Sequence, residues 1–407
     1  MEEVYECCCG LDVHAKTVVA CLVTKGRKEI RTFATMTDEL LQLGDWLSSA
    51  GCTHVAIEST GVYWKPVFNI LEGLLTVVLV NARHIKAVPG RKTDVRDCEW
   101  LADLLRHGLL KASFIPPLEI RELRELIRYR QTVVTEHTAV ANRIQKLIES
   151  ANIKLGQVAS EVLGLSGRLM LRALAKGEQD VTKLAELAQG KLKNKKAELR
   201  RALAGRFTQV QRWVLAEFLT RVEELEVALT RVEARIGEEV TACADPFVPE
   251  AVELLESIPG VGVRTAQTIV AEIGVDMERF PSAKHLASWA GVCPGNHESA
   301  GKRKSGQPTQ GNKSVRTVLV EAAWAYQHRP NVTGFLLRRQ KNLALSDEVK
   351  KIAWKAQQRL HKRYQAFAAR DKNKNQIVTA LGRELLGFIW AIAVHTEKQQ
   401  KQLNKIA

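Results

Sequence analysis

Four carboxylates in the first hundred residues have the type and placement to do chemistry. Asp12 follows the run CCCGL, Glu58 lies in AIESTG, and Asp94 and Asp97 lie three apart in KTDVRDCEW. Taken singly, each is an ordinary acid: Asp12 begins a turn, and Asp94 is favoured near a helix N-terminus by the dipole. Together they stand at strand ends and a helix start, where an open α/β sheet presents its site. Clustered carboxylates repel one another unless some are protonated or cations lie between them. Mg²⁺ prefers oxygen ligands, and two ions about 4 Å apart clamp a phosphodiester at its attacking and leaving oxygens. Arg91, Lys92 and Arg96 then face a polyanion rather than the metal.

Two further stretches bear on phosphate. Ser299 lies in GNHESAGKRKSG, followed by Lys302, Arg303 and Lys304, with Ser305 a weaker candidate and Lys313 and Arg316 extending the basic run. A serine hydroxyl is a poor nucleophile until assisted, and these cations neutralise a phosphate. The other reading is a Gly/Lys loop that binds phosphate around an incidental serine. IPGVGVRTAQTIVAEIG reads as a helix-hairpin-helix in which Gly260 and Gly262 let backbone N–H groups approach a phosphate. A tight helix–helix turn without ligand is its competitor.

The elements that must position these residues follow from periodicity. Strands are expected at 4–11, 17–26, 28–36, 54–59 and 76–82, with helices at 37–51, 62–74 and 94–108. That order predicts a mixed sheet with helices packed on it. From residue 118 the pattern changes to three- and four-residue steps: Ile120, Leu123, Ile127, Val134, Ala141, Ile144, Ile148, interrupted by Arg130 and His137. Phe218, Val222, Leu225, Leu229, Val232 and Ile236 repeat the pattern. Such seams predict coiled-coil helices, paired within one chain or between chains, around a basic helical insert at about 151–210. The expected domains are 1–115, α/β; 116–245, helical; and 246–407, mainly helical.

The formal net charge of +15 and pI near 9.5 favour a polyanionic partner. No unbroken apolar run reaches the roughly 20 residues that span a bilayer, so no membrane partner is expected. The acidic start MEEVYECCCG lacks signal-peptide character, which gives a cytoplasmic expectation. Eight cysteines without a CxxC pair, three of them consecutive, read as buried reduced thiols, because adjacent strand residues point to opposite faces.

GLDVHAKTVVACLV, AIESTGVYWKP and KTDVRDCEWLADLLRHGLL resemble the three blocks of the Asp-Glu-Asp-Asp site in a family of bacterial insertion-sequence transposases. The resemblance implies a RuvC-like, ribonuclease-H-type N-terminal domain in which Asp12, Glu58, Asp94 and Asp97 bind Mg²⁺. SIPGVGVRTAQTIVAEIG and the serine loop resemble the same family's C-terminal part, with Ser299 at the position of its nucleophile. Glu298 departs from the small residue often found there. The resemblance further implies DNA as substrate, a structured guide RNA as partner and a homo-oligomer, dimer or tetramer. A hydrolytic RuvC-like endonuclease and a non-enzymatic architectural binder are the alternatives.

Overall fold

The computed structural model describes residues 3–25, 27–59, 61–81, 97–295, 297–299, 302–305, 310–332, 334, 336–338 and 345–406. The chain divides into two compact units, Met1–Pro116 and Pro117–Ala407.

In the first unit, β1 (Cys7–Val13), β2 (Thr17–Thr24), β3 (Arg27–Ala34), β4 (His54–Glu58) and β5 (Thr76–Val80) form one sheet in the order β3-β2-β1-β4-β5. β1 and β3 flank β2 antiparallel, whereas β1, β4 and β5 run parallel, so the sheet is mixed as expected. The central β1 is covered on both faces, and from Cys7 to Leu11 its sequence is therefore an unbroken apolar run instead of an alternation. Cys9, Leu11 and Val13 share a core with α1 (Thr37–Ser49) and α2 (Trp64–Leu71). Cys8 packs on the other side with Cys98, Leu101 and Leu105 of α3 (Asp97–Arg106). Consecutive cysteines thus point to opposite faces. All eight are free. Burial pushes the Cys8 thiol up to about 11 and Cys21 up to about 12, so both stay protonated at neutral pH. β3, at the sheet edge, is largely exposed and carries Arg27, Lys28, Glu29 and Arg31, charges that discourage edge pairing.

The second unit is built on α4 (Leu118–Ser150), an insert that includes α5 (Leu165–Ala175), α6 (Val181–Glu186) and α7 (Lys196–Ala202), and α8 (Gln209–Ala242). α4 and α8 pack antiparallel within the one chain. Ile120, Leu123 and Ile127 meet Val232, Ile236 and Val240, while Val140, Ile144 and Ile148 meet Leu215, Leu219 and Val222. The buried stripe includes Val133 and Val140, one place before the expected Val134 and Ala141, which are half-buried. A capping box closes the start of α8: Thr208 accepts from the Gln211 backbone N–H, and the Gln211 side chain accepts from the Thr208 N–H.

Both polar interruptions of the seam have partners. Arg130 is buried and donates to the Gln267 side chain at 2.7 Å, the Arg264 carbonyl at 3.2 Å and the Thr268 hydroxyl at 3.3 Å. His137 meets Glu226 at 3.3 Å, where Arg168 of α5 grips the same carboxylate with two nitrogens.

Beyond α8 come α9 (Phe247–Leu255), α10 (Val263–Ile273), α11 (Ala283–Trp289), the hairpin β6 (His297–Ser299) and β7 (Lys302–Ser305), α12 (Lys313–Ala323), α13 (Asp347–Ala368) and α14 (Lys374–Ile406). The Lys374–Lys398 part of α14 is long and apolar enough to cross a membrane by length and composition, although no unbroken apolar run marks it in the sequence. Its Ile377, Leu381, Leu385, Ile389 and Ile392 are buried in the core of this unit, which is the behaviour of a core helix.

Candidate active site

Asp12 lies inside β1, paired with Val19, because the strand runs on to Val13. Residues of one parity share a face, so Cys8, Gly10 and Asp12 point the same way. The parallel register sets Gly10 beside Ala56 and Leu11 beside Ile57. One step further, Asp12 and Glu58 stand side by side on the carboxyl ends of adjacent strands. α3 crosses this face. The Cys8 thiol donates to the Ala102 carbonyl at 3.7 Å, and the backbone N–H groups of Val4 and Tyr5 reach the Arg106 carbonyl at 2.8 and 3.2 Å. The helix therefore runs against the direction of β1, and its first residue, Asp97, lies toward the end that carries Asp12 and Glu58. Burial pushes the Cys98 thiol up, and the charge of Asp12 adds to the rise.

Gly10 permits this close approach. A Cβ there would sit 2.1 Å from the Cys98 carbonyl oxygen and 2.5 Å from the Ala102 nitrogen. Asp12, Glu58 and Asp97 are each half-buried. Asp12 also contacts a residue that the sequence reading passed over: His14 Nε2 is 3.1 Å from Asp12 Oδ2. The D-x-H spacing on a strand end was the available signal, since it puts both side chains on one face.

Three carboxylates on one face supply hard oxygen donors of the kind Mg²⁺ takes. Among the described residues, no three His, Cys, Asp or Glu side chains are gathered closely enough to hold a metal ion. The donor chemistry fits, then, without a closed cage from Asp12, Glu58 and Asp97. Asp94, Arg91, Lys92 and Arg96 lie outside the described residues.

Ser299 belongs to the second unit. It ends β6 opposite Lys302, with Glu298 opposite Arg303 and His297 opposite Ser305. Ser299 thus ends its strand next to the hairpin turn and Ser305 lies at the base, with Lys304 between Arg303 and Ser305 in β7. The chain returning from this hairpin is anchored firmly. Gly311 has φ +47°, and a Cβ there would lie 2.4 Å from the Gly291 backbone. Asn312 caps α12 through the Val315 N–H at 3.0 Å and donates to Glu272 at 2.8 Å. Glu272 is fully buried and also receives Arg128 through two nitrogens at 2.9 and 3.0 Å. Arg124 Nε lies 3.2 Å from its carboxylate. Lys313 is exposed in the first turn of α12, and Arg316 donates to the Gln310 carbonyl at 3.3 Å.

The glycines of IPGVGV differ from each other. Gly260 has φ +89°, and a Cβ there would meet Ala325 Cβ at 2.8 Å and the Ala322 carbonyl at 2.9 Å. The Tyr326 hydroxyl donates to the Pro259 carbonyl at 2.7 Å. Gly260 is therefore needed for packing of the turn, whereas space around Gly262 is open.

Carboxylates at strand ends in one unit, and a sequence that puts a serine beside Lys302, Arg303 and Lys304 in the other, are residue types suited to phosphodiester chemistry. Residues 9–153, which span all four acids, match a family described as "Transposase", the DEDD transposases of IS110. Residues 252–335, which span Gly260 and Ser299, match the "Transposase IS116/IS110/IS902 family". The chain is 30% identical over 324 residues to a putative transposase, y4qE, of Sinorhizobium fredii, covering 78% of this chain and 69% of that protein. It is 24% identical over 391 residues to the transposase for insertion sequence element IS1111A of Coxiella burnetii, covering 96% and 86%. A pilin gene-inverting protein of Moraxella lacunata is 21% identical over 406 residues, covering 97% and 98%. The chain belongs to the IS110/IS116 family of transposases, enzymes that cleave and transfer DNA strands.

Proposed function

We propose that this transposase cuts and rejoins DNA through Mg²⁺ held by Asp12, Glu58, Asp94 and Asp97, with Ser299 as nucleophile. The observation that carries the reading is the register of β1 and β4, which sets Asp12 beside Glu58 under the start of α3. Bound Mg²⁺ supplies Lewis-acid stabilisation of charge on the phosphate. The carboxylates would hold the cation in place, and Lys302, Arg303 and Lys304 neutralise the phosphate. Ser299 Oγ attacks phosphorus and loses its proton; the bridging P–O bond breaks and the departing sugar oxygen takes up a proton. One phosphoester bond forms for each one broken, so strands are exchanged without ATP. Asp12 with His14 and Glu58 orient one side of the site, and the half-burial of all three described acids limits the water around it.

A structured guide RNA, a dimer or tetramer that presents several DNA ends, and a cytoplasmic location complete the reading. Its support is the resemblance, the +15 charge and the basic stretches flanking both parts of the site. Co-purified RNA of one discrete size is expected, and full activity after ribonuclease treatment would refute guidance.

Strand cleavage and covalent capture of labelled DNA, measured with Ser299→Ala and Asp12→Asn, test the chemistry. Both variants are expected to lose cleavage by on the order of 10³-fold, equivalent to roughly 4 kcal/mol of transition-state stabilisation. The protein–DNA adduct should vanish with Ser299→Ala. Cleavage that persists in Ser299→Ala assigns the attack to water, as in a hydrolytic endonuclease; activity untouched in Asp12→Asn removes the acids from the mechanism.

A further inference from the structure

A groove of about 1000 Å³ runs between α11, α13 and α14 in the second unit, apart from every residue assigned above. Lys284 contributes from α11, Arg359 and Arg363 from α13, and Arg383 from α14. Glu384 is the single acid among the lining residues. It receives the Arg359 Nε and the Arg363 Nε at 2.9 Å each. One carboxylate therefore holds two guanidinium groups side by side and leaves the groove with a formal excess of three positive charges.

Two features suit this groove to an extended anion. The four cations are exposed, yet three of them sit on helices whose opposite faces are buried, so their stems are fixed to rigid elements. Arginine presents a planar fork to phosphate oxygens, and the pairing with Glu384 leaves Nη donors for a ligand. Cys293 and Pro294 also line the groove, a few residues before β6 in the chain.

We infer that this groove binds the phosphodiester backbone of a nucleic acid strand. The inference rests on the transposase reading for the nature of the polyanion, and not on the role of Ser299. DNA and RNA share this backbone, so the test separates them.

The experiment measures binding of the full chain to three labelled probes by fluorescence anisotropy, between 50 and 300 mM salt. The probes are a 30-nucleotide single-stranded DNA, the corresponding 30-base-pair duplex and an RNA hairpin. The double variant Lys284→Ala/Arg383→Ala leaves the Glu384 pairs intact. It is expected to weaken one probe about tenfold and to lower that probe's salt slope by about 1.8 for duplex or 1.4 for a single strand. The probe affected identifies the occupant. Glu384→Gln, which removes the competing anion, is expected to tighten the same probe two- to threefold, a gain that loss of structure does not produce. Lys350→Ala/Lys351→Ala removes the same charge from the far end of α13 and sets the non-specific baseline. Equal losses from both double variants, or wild-type affinity and slope for all three probes in the folded groove variant, would overturn the assignment. Cleavage by Ser299→Ala reads no quantity in common with this assay, so either reading can fail while the other stands.

Discussion

Asp12 and Glu58 are fixed by main chain. Their strands pair on both sides, and the helix that brings Asp97 toward them is pressed on β1 at Gly10. Ser299 is held differently: its two-stranded hairpin is short, and the return path is secured by side chains, chiefly Asn312 and the Arg124–Arg128–Glu272 group. The contrast assigns different sensitivities to the two regions. A site on sheet backbone is vulnerable to changes of shape, whereas a hairpin tethered by a buried carboxylate is vulnerable to changes of charge.

The largest stability effect should come from breaking the tether. Glu272→Ala removes the buried carboxylate shared by Arg124, Arg128 and Asn312; Arg128 is half exposed and rehydrates, so the cost is about 3 kcal/mol, the low end for a broken buried pair. Hydrogen exchange should report lost protection in α10 and α12 with β1 and β4 unchanged; equal loss in both units would erase the distinction. Gly10→Ala is the converse test. Its Cβ must displace backbone, not a flexible side chain, and the expected destabilisation is about 1–3 kcal/mol, confined to the first unit. A thermal unfolding profile in which Gly10→Ala shifts only the second unit's transition would contradict this.

The smallest effect is electrostatic and lies near the middle of the helix pair. The Arg168 hydrogen bonds hold the Glu226 carboxyl below the usual range, with His137 contributing. A carboxyl depressed in the folded state stabilises above its unfolded value, near 4.5, and loses that contribution as pH falls through the folded one. The Tm difference between the wild type and Glu226→Gln should therefore be present at pH 6 and close as the pH falls below 4.5. A difference that widened in acid would reverse the sign assigned to this pair.

Much of the first unit was legible in the sequence, because strand parity and helix period are local. Among the described residues, the five strands and three helices were placed, and the mixed sheet followed from their order. Asp12 and Glu58 were readable as strand-end acids for the same reason. What was not legible depended on partners distant in sequence. Arg130 and His137 looked like faults in a seam, and only the positions of Gln267 and Glu226 explain them. Gly260 looked available to a phosphate, yet Ala322 and Ala325 fill the space where its Cβ would be. Glu272 carried no signal at all, since nothing local distinguishes a fully buried acid inside AQTIVAEIG from an exposed one.

The pairing of α4 with α8 also fixes a length. A 33-residue helix extends about 50 Å at 1.5 Å per residue. The insert packs toward one end of this rod and the C-terminal helices toward the other, so a rigid spacing written into 33 residues separates the two.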